Sequence, residues 1–127
     1  MENIYNRNEG VKELKENQFI INKNKIILKT EYTNNLNGIL IVYAPWCSHC
    51  VLSKDMWENF ADLFNYKFNI FAVNTYNYRA DNQKLVIPLN IKYYPTYKFI
   101  NKNGNIKDYT GGKTEDQFLN FIIKNKK

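Results

Sequence analysis

The feature that most limits how this chain can fold is the apolar run Ile39-Leu40-Ile41-Val42-Tyr43, followed at Ser48 by a helical pattern. A strand that is apolar at every position must be covered on both faces, which suits an inner strand of a sheet carrying parallel pairs. Over residues 48–65, Val51, Leu52, Met56, Phe60, Leu63 and Phe64 recur at helical spacing, with Lys54, Asp55, Glu58 and Asp62 on the wet face. Strand then helix, with a short joint between, predicts an α/β layer.

The remaining signals extend that pattern. Strands are expected at Val11–Leu14, 25–29 and 68–75, a loop at 31–37, and a short helix at 82–89 disturbed late by Pro88. Residues 97–100 and 106–109 flank Asn103-Gly104, a strong hairpin signal. Thr114 and Gln117 are spaced as a capping box that opens a last helix through Phe118, Leu119, Phe121 and Ile122. Residues 1–10 read as a loose lead-in, 11–124 as a single domain, and 125–127 as a basic tail. A chain of 127 residues suits one domain.

Composition narrows the function classes. The net charge is +6, but all the basic residues except Arg7 and Arg79 are lysine, so the guanidinium forks suited to base or phosphate recognition are nearly absent. Specific nucleic-acid binding is not expected. Two cysteines exclude a disulfide-stapled scaffold and a self-contained zinc site built mainly on thiolates. No run reaches the roughly 18 apolar residues of a membrane span. The abundance of Asn, Lys, Ile and Tyr points to an AT-rich genome, such as that of some protists or large DNA viruses. With no secretory leader or retention signal visible, a cytoplasmic or virion-associated protein is expected, and an endoplasmic-reticulum protein only if the sequence is trimmed.

Trp46-Cys47-Ser48-His49-Cys50 joins the buried strand to the helix. Cys47 is placed at the helix N-terminus, where unpaired N–H groups and the dipole favour a thiolate. Cys50 lies one turn further on the same face, within disulfide reach. His49 adds a titratable cation that should lower the Cys47 pKa and make the pair more oxidising. Cys47 is therefore the expected exposed nucleophile, Cys50 the buried resolving thiol, and His49 the tuning group. The plainer alternatives are an inert pair or half of a metal site shared between chains. Tyr94-Pro95-Thr96 opens a predicted strand. There a trans edge proline is the ordinary solution and a cis bond the rarer one.

Together, Ala44-Pro45-Trp46-Cys47-Ser48-His49-Cys50, Tyr94-Pro95-Thr96-Tyr97-Lys98-Phe99 and Asp108-Tyr109-Thr110-Gly111-Gly112-Lys113-Thr114 resemble the thioredoxin superfamily. The catalytic domains of protein disulfide isomerases are the nearest look. The resemblance implies a thioredoxin fold with a central mixed β-sheet flanked by helices, a redox-active Cys47–Cys50 disulfide in place of any cofactor, and a cis-Pro95 facing the pair. It also implies substrate pairing along Tyr94 and a receiving rim of Trp46, Tyr94 and Gly111. The implied partners are proteins with thiols or disulfides and a thiol oxidase or reductase, with the chain a monomer.

Several positions depart from the family. Ser48-His49 replaces the usual Gly-His, and Ile41 stands where the family carries a buried acid that moves protons at the resolving thiol. Phe71-Ala72-Val73-Asn74 lacks the acid's usual lysine partner, and Lys113 stands where isomerases have a mobile arginine. Water or Lys113 is left to handle the Cys50 proton. The stretch 19–39 is longer than the family's by roughly ten residues, read as a surface insertion. The competing functions are a thioredoxin-like cytosolic reductant and, less favoured, a non-catalytic adaptor holding clients at the Tyr94 groove.

Overall fold

In the computed structural model, which describes residues 3–5, 10–76 and 82–125, the run beginning at Gly38 is the middle of the molecule. All six residues of β4 (Gly38–Tyr43) are buried, as are all six of β5 (Asn69–Asn74). With β1 (Val11–Leu14), β6 (Thr96–Ile100) and β7 (Ile106–Asp108) they form a five-stranded sheet in the order β1-β5-β4-β6-β7. The β1–β5 and β4–β5 pairs are parallel, while β4–β6 and β6–β7 are antiparallel. The sheet is mixed, as expected.

Pleating divides the core. Ile39, Ile41 and Tyr43 face one cluster, together with Cys47, Cys50, Trp57, Phe60 and Phe118; Leu40 and Val42 face a second, with Leu14, Leu28, Leu85 and Leu89. The first face is covered by α1 (Ser48–Leu52), α2 (Lys54–Phe64) and α3 (Glu115–Lys124).

The long helix expected over 48–65 is two helices. At Ser53 the side-chain hydroxyl donates to the His49 carbonyl at 2.8 Å, competing with the ladder, and the helix breaks there. The buried stripe also differs from the predicted one. Trp57, Phe60 and Ala61 are fully covered, whereas Val51, Leu52 and Leu63 face outward. Trp57 decides the orientation, because its indole N–H reaches the Phe71 carbonyl at 3.1 Å.

The helix expected at 82–89 is a 3₁₀ turn at Asn82–Leu85 followed by further turns. Pro88 has no N–H and disfavours the α conformation at Ile87, so the helix cannot continue. The hairpin around Asn103-Gly104 and the capping box at Thr114 form as read: the Gln117 N–H donates to Thr114 Oγ1 at 3.3 Å. Thr114→Ala is expected to lower stability by about 1 kcal/mol in urea unfolding. An unchanged midpoint would mean the cap contributes nothing.

The stretch read as a surface insertion is built into the fold. It folds as the antiparallel pair β2 (Phe19–Asn22) and β3 (Lys25–Leu28), and Leu28 and Phe19 enter the second core. The Leu28 N–H donates to the Gly104 carbonyl at 2.9 Å, and Ile27 bridges to Asn105. Gly104 has φ +87°, and a Cβ there would lie 2.0 Å from the Leu28 carbonyl oxygen, so the contact requires glycine.

Inside the segment expected to be a loose lead-in, Tyr5 is 1 % exposed and stacks edge-on against Tyr43. The rest of that lead-in beyond residues 3–5 and Gly10, with Arg7, lies outside the described residues, as do Arg79 and Lys126 and Lys127 of the basic tail.

Candidate active site

The joint between β4 and α1 is closed by a turn in which the Cys47 N–H donates to the Ala44 carbonyl at 3.1 Å. Cys47 is then the N-cap of α1, in an extended conformation, and its sulfur accepts the Cys50 N–H at 3.4 Å. On its other side the Cys47 thiol is 3.7 Å from the Tyr94 carbonyl oxygen. The two thiols are unbridged and differ in access. Cys47 is 7 % exposed and Cys50 is fully covered. The expected exposed nucleophile is thus nearly covered itself, yet it remains the more accessible of the two. Burial, and then its contact with the Cys47 sulfur, push the Cys50 thiol up to about 12. The two sulfurs thus differ in access, and Cys50 is the one held as a thiol.

Opposite the pair, the Tyr94–Pro95 bond is cis and Pro95 is buried. The Tyr94 hydroxyl is held 2.6 Å from Thr75 Oγ1, which fixes the ring. Trp46, 52 % exposed, stands edge-on to Tyr94 at 5.8 Å and to Tyr76 at 5.5 Å. Trp46 and Tyr94 are therefore brought together as one aromatic wall. Ser48 and His49 are exposed, and His49 lines a hollow with Leu52, Met56 and Pro95. Gly111 lines a neighbouring hollow with Pro95 and Thr110, and Lys113 borders both. Lys113 Nζ lies 6.0 Å from the Tyr97 ring centroid. Among the described residues no three His, Cys, Asp or Glu side chains converge as metal ligands.

The family profile described as Thioredoxin matches residues 18–124. The chain belongs to the thioredoxin family. Its relatives include protein disulfide-isomerase 1 of Dictyostelium discoideum, 35% identical over 81 residues, covering 63% of this chain and 22% of that protein. Protein disulfide isomerase-like 2-2 of rice is 34% identical over 90 residues, covering 69% of this chain and 24% of its own length. The chain thus spans about a fifth to a quarter of the curated relatives it matches. Among solved structures, the first thioredoxin domain of mouse protein disulfide-isomerase A4 aligns with a TM-score of 0.60 and 20% identity, over 84% of this chain and 78% of that one. Thioredoxin f from spinach chloroplast aligns at 0.62 and 21%, over 90% and 84%. Both establish a shared thioredoxin fold. No helix among the described residues is long and apolar enough to cross a membrane.

One buried group of this thioredoxin domain escaped the sequence reading. Glu13 on β1 is in register with Ala72 of β5, which is in register with Ile41 of β4. The Ile41 position, where the family's acid is absent, thus has a carboxyl level with it two strands away, facing the same core as Cys50. Glu13 Oε1 accepts from the Tyr43 hydroxyl and from the Tyr5 N–H at 3.4 Å, and Tyr43 in turn accepts the Ile4 N–H at 3.0 Å. Glu13 Oε2 and the Tyr5 hydroxyl are buried without a hydrogen-bond partner among the described residues. Burial pushes the Glu13 carboxyl up to about 7, against the opposing hydrogen bonds of Tyr43 and Tyr5. The only sequence signal was an acid two residues after Val11 in a short strand.

Proposed function

We propose that this domain is a thiol–disulfide oxidoreductase that forms, reduces or reshuffles protein disulfides in the manner of an isomerase. One observation carries the reading: the Cys47 sulfur caps α1, takes the Cys50 N–H, and faces the Tyr94 carbonyl beside Pro95. A sulfur so placed lies at the edge where an extended peptide laid along Tyr94 would bring its own sulfur.

In the reducing direction the Cys47 thiolate attacks a substrate disulfide. A Cys47–substrate bond forms, the substrate S–S bond breaks, and the second substrate sulfur leaves as a thiolate. Cys50 then loses its proton and attacks Cys47, releasing the first substrate sulfur and leaving a Cys47–Cys50 disulfide. Oxidation runs the same steps backwards, with two electrons passing from substrate thiols to the pair. The dithiol itself carries these electrons, and a thiol oxidase or reductase restores its starting state. His49 tunes the pair, Trp46 and Tyr94 receive the substrate, and Lys113 supplies charge at the mouth.

His49 beside the pair is the residue that favours the oxidising direction over that of a thioredoxin-like reductant. Equilibration with glutathione buffers separates the two. The expected reduction potential is near the −180 mV or so of protein disulfide isomerase. A value near about −270 mV would replace isomerisation with thioredoxin-like reduction. A pair that never exchanges with glutathione would remove both.

A further inference from the structure

Two hollows, of about 380 Å³ and about 470 Å³, share Tyr93, Pro95, Tyr97 and Lys113 as walls, and so form one continuous trough next to Tyr94 and His49. Its apolar surface is unusually open: Tyr93 is 65 % and Leu52 77 % exposed. Its charge is one-sided. Lys92 and Lys113 stand exposed along it, and neither has an ion-pair partner among the described residues. The one carboxylate lining the trough, Asp108, is paired with a third lysine of the same hollow. It lies 2.7 Å from the ammonium of Lys98, whose side chain is nearly buried while that of Asp108 is largely exposed.

We infer that this trough selects substrates whose reacting cysteine is followed or preceded by acidic residues. Two exposed lysines without an ion-pair partner among the described residues attract a peptide carboxylate and repel a peptide lysine. The inference rests on the thiol–disulfide reading for where the target cysteine sits, and it adds the chemistry of what surrounds that cysteine.

The test uses three peptides alike except at the positions flanking a single cysteine, which carry Glu, Gln or Lys. Each cysteine is presented as a 2-pyridyl mixed disulfide. Attack by the Cys47 thiolate forms the Cys47–peptide bond, breaks the peptide–pyridyl S–S bond and releases 2-thiopyridone, which is followed by absorbance. At low salt the Glu peptide is expected to react about fivefold faster than the Gln peptide, and the Lys peptide slower than both. That ratio shrinks towards one in about 0.5 M salt. The Lys92→Glu/Lys113→Glu double variant loses the preference, whereas Lys102→Glu/Lys124→Glu, with the same change in net charge, keeps it. Equal rates for the Glu and Gln peptides would overturn the inference. So would equal losses in the two double variants, which would assign the effect to overall charge. If all three peptides prove inert, the thiol reading falls and takes this inference with it.

Discussion

Cys47→Ala is expected to abolish disulfide exchange, while Cys50→Ala leaves the first attack intact and stalls the second. With insulin or a scrambled ribonuclease as substrate, the Cys50→Ala protein should accumulate as a mixed disulfide, visible as a mass increase on non-reducing electrophoresis and reversed by dithiothreitol. The asymmetry follows from access: Cys47 is the sulfur an outside chain can reach, and Cys50 can reach only Cys47. Equal trapping by the two variants would defeat the assignment of roles. The wild type adds a pH signature. With its thiol pushed up to about 12, Cys50 is almost wholly protonated near neutrality. Each unit of rising pH then multiplies its thiolate by about ten. Single-turnover release should accelerate accordingly between about pH 7 and 9. A profile that levels off near 7 would instead mark proton removal by a group titrating there, as Glu13 does.

Glu13 carries the second large effect, on stability. Its carboxyl titrates near 7 in the fold against an ordinary value of 4.5. Between these values the folded state holds a proton that the unfolded chain has released. Stability is therefore full below the lower value and falls as pH rises through 7, by about 3 kcal/mol in all. Glu13→Gln removes the ionisation while keeping an oxygen for Tyr43, so its stability should stay level over the same range and exceed the wild type above pH 7. Urea unfolding of both proteins at pH 5, 6, 7 and 8 checks this. Parallel curves for the two proteins would show that Glu13 is not the titrating group.

What could be read from the chain divides by how local the cause is. The dithiol site was legible because strand, turn, N-cap and helix are set by neighbours within a dozen residues, from Ile39 to Cys50. Thr114 and Gln117 announced α3 for the same reason. Ser53 was missed as a break because a serine in a helical pattern betrays nothing until its hydroxyl is seen on the His49 carbonyl. The outward turn of Val51, Leu52 and Leu63 was likewise hidden, since periodicity fixes a stripe but not which of two adjacent stripes wins, and Trp57 settled that through its bond to Phe71. Glu13 sits in a strand of four residues, too short for alternation to assign its face. The β2–β3 pair looked superficial because its anchor, Gly104, lies far along the sequence.

That anchor bears on how the domain behaves in a crowd. The outer strands of the five-stranded sheet are brief, four residues in β1 and three in β7. Beside β7, the Ile27–Asn105 bridge already occupies backbone that a neighbouring copy could otherwise have zipped onto. A border stitched in this way leaves less free backbone along that flank for another chain to pair with.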